Sequence, residues 1–473
     1  MSLLRPALFA CALALVSCSG SAHPSPLATA PIAAGDDGGA PTGATTAKND
    51  DRDPKMSPKE LRLVERTLAT MSELRGVPST RAVPGVKLRR EELVLRVKEK
   101  ALREYPPEAL RREGQLLQIL GFAPPSFDYL GEMMRLLEAQ LEGFYDPKNG
   151  TMYLASELRG KEAQATLAHE LVHALQDQRW DLRSRSDYKA GQGDRTLALG
   201  ERCEGDATSA MFDFVMYEPD APKGGQKTAL DVPEEMLREM MRTAIDTGDI
   251  RSVPHILRTT LIAPYVDGLV FVQALRRKGG WRAVDRAWDR LPTTTEQILH
   301  VEKWEAGEPA LDVAVPSAQA LGPGWKREDD DTFGELAFAL TFEEWIDHAD
   351  ARLAAQGWGG DRSAVYQKGD EIAVAIHLRY DATTFAERAS GKLWPGLKKT
   401  LGAAAIADGA TLCFDRKEAG PLLVGRKDKD LVFLAGPAKP AAKGSAWVST
   451  GTCALAKKWG DEVLAQSAQN ARN

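Results

Sequence analysis

The chain is predicted to be α+β: a mainly helical first domain carrying a small hairpin, followed by a C-terminal α+β region built on an antiparallel sheet. Three observations predict this. From Met56 on, segments such as SPKELRLVERTLATMSELRG, REELVLRVKEKALREY and PPEALRREGQLLQILGF repeat apolar residues three and four apart, the period of a helix with one buried face. In LEGFYDPKNGTMYLASE, the apolar stretches Gly143 to Tyr145 and Thr151 to Ala155 flank Asp146-Pro147-Lys148-Asn149-Gly150. That is turn chemistry, because Gly150 can take positive φ. Beyond Thr332, a helix through Phe338, Phe342, Trp345 and Ile346 leads to GWGGDRS. The strand pair SAVYQ and EIAVAIHLRY then meets across Lys368-Gly369-Asp370, and TLCFDR, GPLLVGR and DLVFLAG follow. Such short apolar runs between turn residues read as strands.

Taken in order, the chain opens with a targeting segment. Arg5 precedes the apolar stretch ALFACALALV and then Ser17-Cys18, too short to span a bilayer and typical of a secretory signal. Leu15-Val16-Ser17-Cys18 resembles a bacterial lipobox, which implies cleavage before Cys18 and lipidation of its thiol. Residues 19–55 are small, Pro, Gly and acidic in character. They cannot bury a core and read as a disordered tether. The expected layout is therefore 1–18 signal, 19–55 tether, 56–310 first domain and 333–473 C-terminal region, placing the protein at the bacterial cell envelope. Hydrophobic residues make up 43% and charged residues 27% of the chain, the balance of an ordinary globular protein. The net charge of −6 offers no basic footprint for nucleic acid. Of five cysteines, Cys11 leaves with the signal and Cys18 carries lipid. Cys413 and Cys453 can pair outside the cytoplasm. Cys203 falls on an apolar helix face and reads as an inert buried thiol.

The chemistry is concentrated in TLAHELVHALQDQRWDL. With only seven histidines among 473 residues, a chance HExxH is rare. On a helix, His169 and His173 are four apart and share a face, so both imidazoles can grip one metal ion, while Glu170 can reach a water on that metal. Ala163, Leu167, Ala168, Leu171, Val172, Ala174 and Leu175 form the apolar side. His169, His173 and Gln176 project from the other, which is expected to open to a cleft.

A zinc ion needs a third protein ligand. The pattern HExxHxxGxxH would require Gly at 176 and His at 179, whereas the chain has Gln176 and Arg179. The ligand must come from later. In TLALGERCEGDATSAMFDFVMYE, Leu197, Cys203, Ala207, Ala210, Met211 and Phe214 share one face with Glu204 at its edge, where a carboxylate is costly to bury unless a cation neutralises it. Glu201 lies farther round toward solvent and is the second choice. HExxH followed by a glutamate on a second helix resembles the gluzincin arrangement of thermolysin-like zinc metallopeptidases. HELVHALQDQ and ALGERCEGDAT are similar to a group of poorly characterised bacterial secreted or lipoprotein zinc peptidases. The resemblance covers roughly Gly143 to Tyr217. It implies a zincin-like catalytic domain, His169, His173 and Glu204 as zinc ligands, Glu170 as catalytic base, and the hairpin as a cleft rim that pairs with extended substrate. The chain departs from the thermolysin pattern in the long gap from His173 to Glu204 and in Thr208, where those enzymes have an aspartate. Asp206 and Asp177 are left as candidates for orienting a ligand imidazole.

Hydrolysis through an oxyanion calls for an electrophilic helper besides the metal, and Tyr265 and His300 are the available candidates. The leading expectation is a secreted, lipid-anchored zinc-dependent peptidase acting on a peptide or protein. The alternatives are an inactive zinc-bound scaffold or binding lipoprotein, and a zinc hydrolase of non-peptide amides or esters.

Overall fold

A computed structural model describes residues 56–104, 107–185, 189–221, 225–243, 253–441 and 446–470. The expected signal peptide, Cys18 and the expected tether lie outside the described residues. The protein is α+β, with the antiparallel sheet in its C-terminal region.

Helix α1 (Pro58–Arg75) starts at a capping box between Ser57 and Glu60, and stops at Gly76, whose φ of 74° closes the last turn. After β1 (Gly85–Leu88) come α2 (Arg90–Glu104), α3 (Pro107–Leu120) and α4 (Tyr129–Gln140). The predicted hairpin forms as β2 (Gly143–Asp146) and β3 (Thr151–Ala155), paired antiparallel. β1 adds to the far side of β3 in parallel, giving the order β1-β3-β2. Only four residues long, β1 was too short to carry a strand signal. Helix α5 (Gly160–Trp180) holds the HExxH motif, and α6 (Leu182–Arg185) is a single turn. Next come α7 (Gly193–Val215), α8 (Glu234–Thr243) and α9 (His255–Asp289).

Helix α9 is really two helices, because Gly279 and Gly280 leave helical φ/ψ. By length and composition it could cross a membrane, yet 72% of its most apolar window is buried inside the protein, as expected of a core helix. It crosses α7 at two glycines. A Cβ on Gly205 would collide with the backbone of Gly268, and one on Gly268 would collide with the carbonyl oxygen of Glu201. Only glycine at both positions lets the backbones touch.

Short helices α10 (Thr295–Leu299) and α11 (Val301–Ala306) lead into the second region. Its strands are β4 (Lys326–Asp331), β5 (Trp358–Lys368), β6 (Glu371–Tyr380), β7 (Ile406–Ala407), β8 (Thr411–Phe414), β9 (Leu422–Lys427), β10 (Asp430–Pro440) and β11 (Trp447–Ser449). They form one sheet in the order β4-β5-β6-β10-β9-β8-β7, with β11 also on β10. Between and after them lie α12 (Gly334–Phe342), α13 (His348–Ala355), α14 (Thr383–Leu401) and α15 (Cys453–Asn470). In β6, Ile372, Val374, Ile376 and Leu378 face the core containing Phe338, Phe342 and Leu393, while Ala373 and Ala375 face Trp459 and Val463 of α15. Both faces of the sheet are covered, which is why its central strands read as continuous apolar runs.

One reading changes, and one strand appears that carried no sequence expectation. GWGGDRS belongs to β5, because Gly359 and Gly360 let the loop at Leu311 lie against the strand, with Leu311 N–H donating to the Gly359 carbonyl at 2.6 Å. The charged run KREDDD is the edge strand β4, and charge on an edge discourages pairing with another chain.

One hydrophobic core runs across the expected 310/333 boundary, joining Leu116, Leu136 and Phe144 to Phe338, Phe414 and Phe433. Arg416 reinforces the join by donating to the carbonyls of Ile119 (2.6 Å) and Leu120 (3.0 Å) at the open end of α3. Burial alone brings its pKa down to about 10. Cys413 in β8 and Cys453 at the start of α15 form a disulfide with Cα atoms 5.7 Å apart. It closes a loop across a sequence separation of 40, for which the loss of unfolded-state entropy is worth about 2–4 kcal/mol. The Cys413→Ser/Cys453→Ser variant should lose stability of that order in urea unfolding; equal stability would mean that the thiols are unpaired.

Candidate metal centre

The site is assembled by three helices and one strand. Helix α5 contributes His169, Glu170 and His173, α7 contributes Glu204, α9 contributes Tyr265 and β2 lies alongside. His169 Nε2 is 3.0 Å from Glu204 Oε2. His173 Nε2 is 3.1 Å from His169 Nε2 and 3.5 Å from Glu204 Oε1. The three ligand atoms form a group that could hold a metal ion. Two N or O ligands about 2.0–2.1 Å from a tetrahedral ion sit about 3.3 Å apart, so the observed spacing matches a shared cation. Glu204 Oε1 has no hydrogen-bond partner, which fits an atom reserved for a metal.

The electrostatics follow from burial. Desolvation alone would raise the Glu204 pKa and lower that of His173. Their mutual attraction outweighs it, holding Glu204 below the usual carboxylate range and pushing His173 up to about 9. Glu170 goes the other way: burial, aided by the charge of Glu204, raises it against the pull of the two histidines. Its Oε2 accepts the backbone N–H of Tyr145 at 2.8 Å, and its Oε1 has no partner. It is a basic carboxylate with one oxygen uncommitted, next to the ligand group.

Behind the ligands lies a second buried layer. His173 Nδ1 is 2.9 Å from Gln176 Oε1, and Gln176 Nε2 donates to the Cys203 carbonyl at 3.0 Å and to Asp206 Oδ2 at 3.3 Å. Asp206 is gripped by Arg75 at 2.5 and 3.1 Å, by Trp288 Nε1 at 2.9 Å and by Arg202 at 3.3 Å. Burial works against its ionisation, but the two arginines prevail and bring its pKa to about 2. Arg75 also reaches Asp285 at 2.8 Å and lies 4.4 Å from the ring of Trp281.

Several expectations are corrected. The histidine side of α5 does not open to a cleft: residues 166–177 are all buried, and His169, Glu170, His173 and Glu204 are each no more than 1% exposed. The reason is that α7 packs across that side, carrying Glu204 to the histidines. Strand β2 is buried throughout and its Tyr145 N–H is taken by Glu170, so in this conformation it is not an open rim for a peptide. Glu201 does not face solvent. It is fully buried and neither carboxylate oxygen has a hydrogen-bond partner, so burial, with Asp267 nearby, raises its pKa well above the ordinary value. Asp206 reaches the ligands only through Gln176. Asp177 accepts from Tyr145 Oη at 2.8 Å and Arg81 at 2.6 Å, and no imidazole is among these partners. Cys203 is buried as expected, and burial pushes its thiol pKa up.

Of the two helper candidates, Tyr265 is brought in, with its ring centroid 6.0 Å from that of His169. His300 is not part of the ligand group. It stands at the junction of α10 and α11, where Glu335 of α12 holds its Nε2 at 2.9 and 3.1 Å. Gln176 was noted on the histidine side of α5, but its role escaped the sequence reading; its place three residues after His173 was the available signal. A second acidic group, Glu296, Glu308 and Asp381, has ligand-like spacing. The ammonium of Lys303 already bonds all three, at 2.7, 2.6 and 2.7 Å, and so takes the place of a cation.

Residues 320–445 match the family described as Domain of unknown function (DUF8575). The match covers most of the C-terminal sheet and none of the residues of the metal centre. No curated protein and no solved structure matches the chain.

Glu201 supplies a control for the ligand assignment. A carboxyl whose pKa is raised in the folded state favours folding at low pH, and that contribution is lost as the pH climbs above its ordinary value of 4.5. Glu201→Gln should therefore gain stability relative to wild type as the pH rises from 4.5 toward neutrality, with unchanged metal content. Loss of metal from this variant would contradict Glu204 as the carboxylate ligand.

Proposed function

We propose that the protein is an exported, lipid-anchored, zinc-dependent peptidase, with His169, His173 and Glu204 as zinc ligands. The observation that carries this reading is the pairing of two things: three ligand atoms 3.0–3.5 Å apart, and beside them a buried glutamate, Glu170, with one oxygen unpartnered. The donor set of two imidazoles and one carboxylate suits zinc. Zn²⁺, when bound, polarises the carbonyl under attack and lowers the pKa of its water.

Glu170 accepts the water's proton and delivers it to the departing amine. Its raised pKa suits both halves of that transfer, and the Tyr145 N–H fixes which oxygen does the work. To Tyr265, whose ring centroid is 6.0 Å from that of His169, we assign the role of steadying negative charge on the carbonyl oxygen. Cys18 carries the lipid, and residues 19–55 tether the catalytic part to the membrane. The substrate class is a peptide or protein, admitted by a conformation more open than the closed one described above.

The burial of all four residues favours a second reading, a zinc-bound scaffold or binding lipoprotein. Against it, a structural zinc site has four protein ligands, and among the described residues the group has three. Hydrolysis of a non-peptide amide or ester would use the same machinery.

His173→Ala should lose most of about one zinc per chain. Glu170→Gln should keep zinc and fold while peptidase activity on casein or a peptide library falls by about a hundredfold to ten-thousandfold. If zinc-loaded wild type cleaves nothing in a broad peptide library, and Glu170→Gln supports the cell as wild type does, the scaffold reading replaces this one. Cys18→Ser should release the protein from the membrane fraction; a mature chain without lipid mass would remove the anchor from the proposal.

A further inference from the structure

We propose that Gln176 is the positioning residue of the metal centre, fixing His173 in the tautomer that turns its Nε2 lone pair toward the metal. The proposal rests on the zinc reading above and adds to it the group that makes one ligand ready to bind.

The hydrogen-bond chemistry leaves one assignment. The Cys203 carbonyl oxygen can only accept, and so can the ionised Asp206 carboxylate. The side-chain atom of Gln176 that lies 3.0 Å from the first and 3.3 Å from the second must therefore be the amide nitrogen. The amide oxygen is then the atom 2.9 Å from His173 Nδ1. An oxygen there also only accepts, so Nδ1 carries the hydrogen and Nε2 is the nitrogen available as a ligand. That Nε2 is the atom 3.1 Å from His169 Nε2 and 3.5 Å from Glu204 Oε1.

The orientation of Gln176 is itself held. The residue is 1% exposed, and Asp206 cannot swing away while Arg75 and Trp288 bind it. Helical geometry supplies the rest, because residues three apart on α5 stack on one face. Glycine at position 176 could not do this, so the residue that departs from the HExxHxxGxxH pattern has a use of its own.

The test compares wild type, Gln176→Leu and Gln176→Met in the purified full chain by zinc titration against a competing chelator. The absorption spectrum of the cobalt-substituted protein and circular dichroism complete the set. Loss of an outer partner of a ligand histidine typically weakens metal binding about 10–100-fold. Gln176→Leu and Gln176→Met, neither of which offers Nδ1–H an oxygen acceptor, should both fall in that range with an altered cobalt spectrum. A folded Gln176→Leu with wild-type zinc affinity and cobalt spectrum overturns the proposal. If Gln176→Leu does not fold, Gln176→Met, unbranched and of nearly the same length as glutamine, decides: zinc binding weakened about tenfold or more with an altered cobalt spectrum supports the proposal, and a folded protein with wild-type zinc affinity and spectrum overturns it. Wild type that takes up no zinc overturns the metal reading itself, and this inference with it.

Discussion

Six acidic or basic side chains of one central helix are buried, and much of the protein is arranged to tolerate that. On α7, Asp194, Glu201, Arg202, Glu204, Asp206 and Asp213 are all inside, each with a desolvation cost of several kcal/mol if left ionised and alone. Four of the acids are answered, each from a different part of the chain. Asp194 accepts from Thr295 at the start of α10, although burial still pushes its pKa to about 7. Asp206 has Arg75 of α1, Asp213 has Arg276 of α9 at 2.6 Å, and Glu204 has the two histidines of α5. Glu201 has no hydrogen-bond partner and is pushed toward its neutral form. The Gly205–Gly268 contact makes this burial possible, because it brings α9 close enough to seal one side of α7.

This arrangement ties distant parts of the chain to the candidate centre. Arg75 at the end of the first described helix stands behind Gln176, with Asp206 between them. The C-terminal region braces the same helix from the other end, where Asp331 accepts the Gly193 N–H at 2.8 Å, and it braces α9 where Arg352 binds Asp267 at 2.8 Å. The region matched to a family of unknown function therefore shares a core and an ion-pair network with the helices that hold the ligands. The candidate ligand group is thus held by packing and ion pairs from several parts of the chain. It is also closed to bulky molecules in this conformation.

Much of this was legible in the sequence. HExxH is a local pattern, and a helix places residues four apart on one face whatever surrounds it, so His169, Glu170 and His173 could be read directly. Glu204 followed from the improbability of an unpaired carboxylate on an apolar face. The hairpin followed from its turn residues, and the C-terminal sheet from strands short and apolar enough to leave little alternative. Tertiary contacts decided the rest, because nothing local encodes them. His300 pairs with Glu335 through a fold contact between residues 35 apart. Glu201 looked solvent-facing only because a helical wheel cannot know that α9 covers it. Periodicity could say that α5 had an apolar side, but not that its polar side would also be buried; that depended on α7 packing across it and carrying Glu204 to the histidines.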